Sequence, residues 1–171
     1  AVAFRWLGVL GVAIALALAG TFTWPLAIVL LLAVLWNLFI STLAGLNIRL
    51  PRHRPINVGV DFLISTALFI FGGGLTGTLL WAGVLVLISA AVYYEWLGAL
   101  LAAAAITAVE IGWTAIGYTE TFAQIWSLLA LLAGLNLVLG MAFGLPSRML
   151  IQSTRAIYHG RVQRQEECEQ Q

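Results

Sequence analysis

The chain carries eight basic residues, all arginine: Arg5, Arg49, Arg52, Arg54, Arg148, Arg155, Arg161 and Arg164. They fall in three short places, and long apolar sequence fills the intervals. In multispanning membrane proteins Lys and Arg concentrate in the short loops that stay cytoplasmic. Three basic sites separated by pairs of apolar spans therefore lie on one side. The pattern predicts an all-α, polytopic membrane helix bundle of six transmembrane helices, with both ends of the chain in the cytoplasm and a C-terminal cytoplasmic helix.

Composition leaves little room for a soluble alternative. Hydrophobic residues make up 62% of the 171 and charged residues 9%, whereas a soluble domain carries roughly a quarter of its residues as charges. One core of this size cannot hide so much apolar surface, so the bilayer is the expected solvent. The net charge of +1 balances loop arginines against a late acidic cluster and does not indicate a nucleic-acid partner. The lone Cys168 excludes an intrachain disulfide and Cys-x-x-Cys metal pairs. The chain starts without Met and ends in a charged, helix-like run, which suggests a piece of something longer.

About 20 apolar residues cross roughly 30 Å of hydrocarbon at 1.5 Å per residue. The expected spans are 4–22, 25–47, 56–72, 77–94, 96–117 and 121–145. The connection 47–56 holds Arg49, Arg52, His53 and Arg54 between Pro51 and Pro55 and faces inward. Connections 21–25, 72–76 and 118–121 carry no basic residue and face outward. Trp6, Tyr93, Tyr94 and Trp96 form the inner aromatic belt; Trp24, Tyr118 and Trp126 form the outer one. The joint at Tyr93–Trp96 has no arginine to pin it. Residues 1–20 also admit a second reading, a cleavable signal peptide ending in Ala17-Leu18-Ala19. Cleavage would leave five spans.

The chain divides at Pro146: residues 1–146 form the membrane domain, and 147–171 turn polar. Ser147 is placed to cap a new helix that leaves toward a cytoplasmic module beyond this sequence, or lies along the interface as an amphipathic tail.

Polar residues inside spans are costly unless they face protein or water. Glu110 is the sharpest case, on the order of 10 Å from the outer end of its span, with Thr107, Trp113, Thr114 and Gly117 on the same helical face. It either hydrogen-bonds neighbouring helices or serves a ligand or proton. Asp61, near the start of the third span, is expected to pair at the interface with Arg52 or Arg54. Asn37 with Ser41, and Gln124 with Ser127, are spaced to hold helices together. Asn136, Gly140 and Gly144 recur every four residues and make a close-packing face. His53 and His159 lie in solvent-facing segments without partners at ligand spacing.

Asp61-Phe62-Leu63, then Leu68-Phe69-Ile70-Phe71-Gly72-Gly73-Gly74-Leu75, then a span ending Ile88-Ser89-Ala90-Ala91-Val92-Tyr93-Tyr94, resembles the N-terminal membrane region of bacterial sensor histidine kinases. In the redox-responsive kinases of photosynthetic bacteria a similar turn, Gly-Gly-x-x-Asn-Pro-Phe, is linked to quinone binding. Here Gly73-Gly74-Leu75-Thr76-Gly77-Thr78-Leu79 keeps the two glycines and replaces the last three positions. The resemblance spans roughly forty residues. It implies a multi-pass protein of the bacterial plasma membrane, a homodimer, with a cytoplasmic output domain in the same polypeptide. It also implies a candidate outer-leaflet pocket for a quinone or other lipid-soluble ligand, lined by Gly73, Gly74, Thr76, Glu110 and Trp113. The glycines read by themselves make a tight turn. A small transporter is the competing expectation, although mid-membrane polar residues and broken helices are few. An enzyme would need clustered carboxylates or metal ligands, and Glu110 and Asp61 fall at opposite depths.

Overall fold

Lipid offers no partner to a backbone N–H or C=O, so a chain in a bilayer satisfies those groups within helices. The computed structural model describes the backbone of residues 2–46, 48, 52–117 and 122–169, and the side chains of 5–46, 48, 52–117 and 125–149. Arg49, Pro51 and Tyr118 lie outside the described residues, as do the side chains of Gln124, Arg155, His159, Arg161, Arg164 and Cys168. The described chain is all-helical: α1 Val2–Ala19, α2 Trp24–Gly45, α3 His53–Phe71, a 3-10 turn Gly74–Thr76, α4 Val84–Gly117 and α5 Phe122–Glu169.

Local chemistry places the starts of these helices. Thr23 is extended, and Pro25 follows in the first turn of α2, where its fixed φ suits the helix and its missing N–H costs nothing. Arg52, with φ 57°, turns the chain into α3, and Pro55 again occupies the first turn.

The six-span expectation is not what the structure shows. Among the described residues four helices are long and apolar enough to cross a membrane: α2, α3, α4 and the Ile125–Met149 part of α5. In α1 the described apolar helix Arg5–Ala19 is shorter. The expected fourth span, 77–94, becomes α-helical only at Val84. Its first residues belong to a turn region, because Gly77 is wedged against the chain: a Cβ there would overlap the Gly72 carbonyl.

The expected joint at Tyr93–Trp96 lies inside α4. Glu95 has φ 60° and ψ −149°, and breaks the helix into arms 84–94 and 96–117. A Cβ on Gly98 would sit 2.9 Å from the Ala90 carbonyl oxygen, whereas residues eight apart in a straight helix are about 12 Å apart. Gly83, at the other end of the first arm, approaches Ile106, with a Cβ 3.0 Å from its Cγ1. The two arms therefore lie antiparallel, and Val86, Leu87 and Ala90 pack on Ala102, Ala103 and Ile106.

Helix α5 also corrects an expectation, since it does not end at Pro146. Proline removes one N–H from the ladder, but Ser147 Oγ donates to the Phe143 carbonyl at 2.8 Å. That hydroxyl serves the carbonyl next to the one Pro146 leaves without a donor, Ala142, and membrane helices commonly tolerate proline where hydroxyls and neighbouring helices supply nearby bonds.

Two further clusters complete the core. Val12 and Leu16 of α1 meet Leu26, Val29, Leu68, Leu79 and Ala82, and Phe69 and Leu75 meet Leu129 and Leu132 of α5. Large apolar side chains cover the outside, among them Leu18, Leu101, Leu131 and Met149, as a lipid-facing surface requires.

Candidate functional site: two buried polar centres

Asn57, Asp61 and Ser65 follow one another at four-residue spacing on α3, so they share one face, and that face is buried. At its centre the Asp61 carboxylate accepts from Arg5 Nε at 3.1 Å and from Arg5 Nη2. Ser89 Oγ, on the first arm of α4, donates to the same oxygen. Arg5 Nη2 also reaches the Asn57 carbonyl at 3.2 Å, and Asn57 Nδ2 donates to the Tyr93 hydroxyl at 3.0 Å. Trp6 Nε1 donates to Ser41 Oγ at 3.2 Å, which in turn donates to the Asn37 carbonyl at 2.6 Å. One connected polar patch thus joins α1, α3 and α4, and the neighbouring Trp6 ties α1 to α2.

Asp61 does not take the loop arginines expected for it: its partner is Arg5. The Arg5 and Asp61 side chains are only 9% and 10% exposed, so this is an ion pair inside the bundle rather than an interfacial one. A buried pair is stable only where further hydrogen bonds accompany it, and the Ser89 hydroxyl and the Asn57 backbone carbonyl each add one here.

The second centre lies along α4 and α5. Glu110 is 1% exposed. Asn136 Nδ2 donates to its Oε2 at 2.8 Å and to Thr107 Oγ1 at 3.1 Å, while Thr114 Oγ1 donates to the Glu110 backbone carbonyl at 2.6 Å. Gly83 closes the other side: a Cβ there would meet Glu110 Oε1 at 3.8 Å. The carboxyl is a packed, hydrogen-bonded group joining α4 to α5.

The turn glycines come close to it. Gly73 and Gly74 have φ 99° and 59°, a left-handed backbone that glycine adopts without penalty. Gly74 is buried and lies against Trp113, where a Cβ would sit 3.3 Å from the indole nitrogen. Trp113 is one turn from Glu110 on α4, so turn and carboxyl share a region. Thr76 is exposed and its hydroxyl folds back onto the Gly73 carbonyl at 3.1 Å.

Asn136, Gly140 and Gly144 face the second arm of α4. A Cβ on Gly140 would lie 3.2 Å from the Ala99 carbonyl oxygen, and one on Gly144 would lie 2.6 Å from Trp96 Cα. This face is therefore taken up within the chain.

Sequence reasoning missed the first centre. It used Arg5 as a marker of topology and paired Asp61 with its neighbours in sequence. The available signal was that both are ionisable residues at span ends, which in a bundle tend to find each other. No protein family, curated protein or solved structure matches this chain.

Proposed function

We propose that the chain is the membrane-embedded sensory input domain of a bacterial signalling protein. It sits in the plasma membrane with both ends cytoplasmic and acts through a cytoplasmic output domain, for which a histidine kinase is the resemblance-based candidate. The observation that carries this reading is the continuity of α5. Its 48 residues make a rod about 72 Å long at 1.5 Å per residue, more than twice the roughly 30 Å hydrocarbon layer. Asn136, Gly140 and Gly144 grip the membrane part of this rod against α4. A shift between the arms of α4 is therefore transmitted along α5. A ligand drives such a shift only by its difference in affinity between two arrangements, typically 1–3 kcal/mol.

A rod that signals by rotation is sensitive to helical phase. Inserting one residue within 150–169 turns everything after it by about 100°, whereas seven residues restore the phase within about 20°. Output of the parent protein should change strongly with one inserted residue and return with seven. Output indifferent to both insertions would overturn the reading.

Orientation is supported by the arginines at one end of the bundle. Arg5 joins α3, Arg52 precedes α3, and Arg148 lies one turn beyond Gly144, which packs on Trp96. In intact cells a membrane-impermeant maleimide should leave Cys168 unlabelled until the membrane is opened. Oxidation should then give a Cys168–Cys168 product, since we place the homodimer contact in the exiting helices. Labelling from outside would reverse the topology, and failure to cross-link would remove the dimer.

One feature favours a small multispanning transporter as the second reading. The segment 77–83, which precedes α4, is not α-helical, yet its Leu79 and Ala82 are fully packed beside α1 and α3. Irregular backbone within a bundle is common in transporters. On that reading the α5 insertions leave activity unchanged.

A further inference from the structure

An open groove of about 620 Å³ runs along the bundle between α3 and the second arm of α4, over the first arm. Gly59 and Phe62 form one wall, Leu97 and Leu101 the other, and Ala90 lies at the bottom. Between Val86 and Tyr94, both in its lining, the first arm advances eight residues, so the groove is about 12 Å long. That is close to the depth of one leaflet in a hydrocarbon layer roughly 30 Å thick. The volume over that length gives a cross-section of about 50 Å². A helix 10–12 Å across needs about 80–110 Å², so the groove suits hydrocarbon chains rather than another helix.

Charge selects the headgroup. One end of the groove lies beside the start of α3: the His53 and Tyr93 rings are 6.2 Å apart, Asn57 Nδ2 donates to the Tyr93 hydroxyl, and the next residue, Tyr94, is exposed in the groove lining. Asn57 and Asp61 take the buried face of α3, while Arg54 precedes the groove residues Val58 and Phe62 by one and two turns. Arg54 therefore stands at the mouth, on the groove's side of the helix. Arg52, Arg54 and Arg148 are exposed at this end and hold no ion pair among the described residues. Of the carboxylates described there, Asp61 is taken by Arg5, which leaves Glu95 against three arginines. This end is electropositive, guanidinium binds phosphate through paired N–H donors, and basic sites between membrane helices collect anionic headgroups. We propose that the groove holds an anionic phospholipid, with its hydrocarbon against Phe62, Leu97 and Leu101 and its phosphate at Arg54 and the Tyr94 hydroxyl. The site requires only that the chain lie in a bilayer, and it is independent of any signalling role.

Spin-labelled phosphatidylglycerol and spin-labelled phosphatidylcholine are each added to the protein in dioleoylphosphatidylcholine vesicles, and electron paramagnetic resonance reads the fraction of each label that the protein restricts. Phosphatidylglycerol should be restricted in excess of phosphatidylcholine by one lipid per chain, and the excess should shrink as salt rises. Arg54→Gln should weaken the preference about fivefold, the effect of one arginine beside a lipid surface. Gly59→Leu changes no charge and should remove the preference by filling the groove. A Cβ at Gly59 meets nothing within 4 Å, and leucine is the better helix former, so this variant should unfold no earlier than the parent; that readout separates lost binding from lost folding. Equal restriction of the two lipids by the parent chain overturns the proposal, as does a preference unchanged in either variant. If Gly59→Leu instead turns a dimer into a monomer on sedimentation in detergent, the groove holds a second copy of the chain and the proposal falls.

Discussion

Asp61→Ala should destabilise the bundle by about 3–5 kcal/mol, because it leaves the Arg5 guanidinium buried without its counter-ion. That is a large fraction of the 5–15 kcal/mol that holds most domains together. The carboxylate also receives Ser89, so the substitution strands a hydroxyl in the same step. Arg5→Ala should be similarly damaging, since it leaves the Asp61 charge buried. The double variant Arg5→Ala/Asp61→Ala should recover most of the loss, because replacing both members of a buried pair by apolar groups is often neutral. Unfolding in mild detergent, followed by tryptophan fluorescence, reads all three. Single variants as stable as the parent would show that the pair is exposed to water. A double variant worse than either single would show that it holds the helices by more than charge.

Gly144→Leu should cost more than the 1–3 kcal/mol usual for overpacking. A Cβ at Gly144 would sit 2.6 Å from Trp96 Cα and 3.1 Å from Trp96 Cβ, so the obstacle is backbone and cannot rotate away. Gly140 is intermediate, with a Cβ 3.2 Å from the Ala99 carbonyl oxygen, and Gly134 on the same helix has nothing within 4 Å. The expected order of damage by Leu is Gly144, then Gly140, then Gly134. At Gly134, Ala should stabilise by about 0.5–1 kcal/mol, since glycine is a poor helix former. Equal damage at Gly144 and Gly134 would mean that α5 does not present this face to α4.

Much of this arrangement was legible residue by residue. The start of α2 follows from Pro25 and the backbone freedom at Gly73 and Gly74 from glycine itself, because these are properties of single residues and their neighbours. The burial of Glu110 could be read from the apolar run around it. The four-residue recurrence of Asn136, Gly140 and Gly144 shows that they share a face, though not which helix meets it. Pro146 misled, because a helix break is the local expectation for proline, while the continuation depends on what surrounds it.

The sequence by itself determined that the chain is helical and suited to lipid, since 62% hydrophobic and 9% charged residues leave no other solvent for it. It also determined where ionisable groups had to find partners, because an apolar setting makes an unpaired charge untenable. Only the tertiary structure decided which partners they found. Arg5 and Asp61 are 56 residues apart, and no periodicity links positions on different helices. The reversal at Glu95 brings Gly83 to Glu110, so the neighbours of that carboxyl depend on where one backbone angle turns positive. The groove between α3 and the second arm of α4 is likewise a remainder, the space left over the first arm when the three segments pack, and such a remainder exists only once all three are in place.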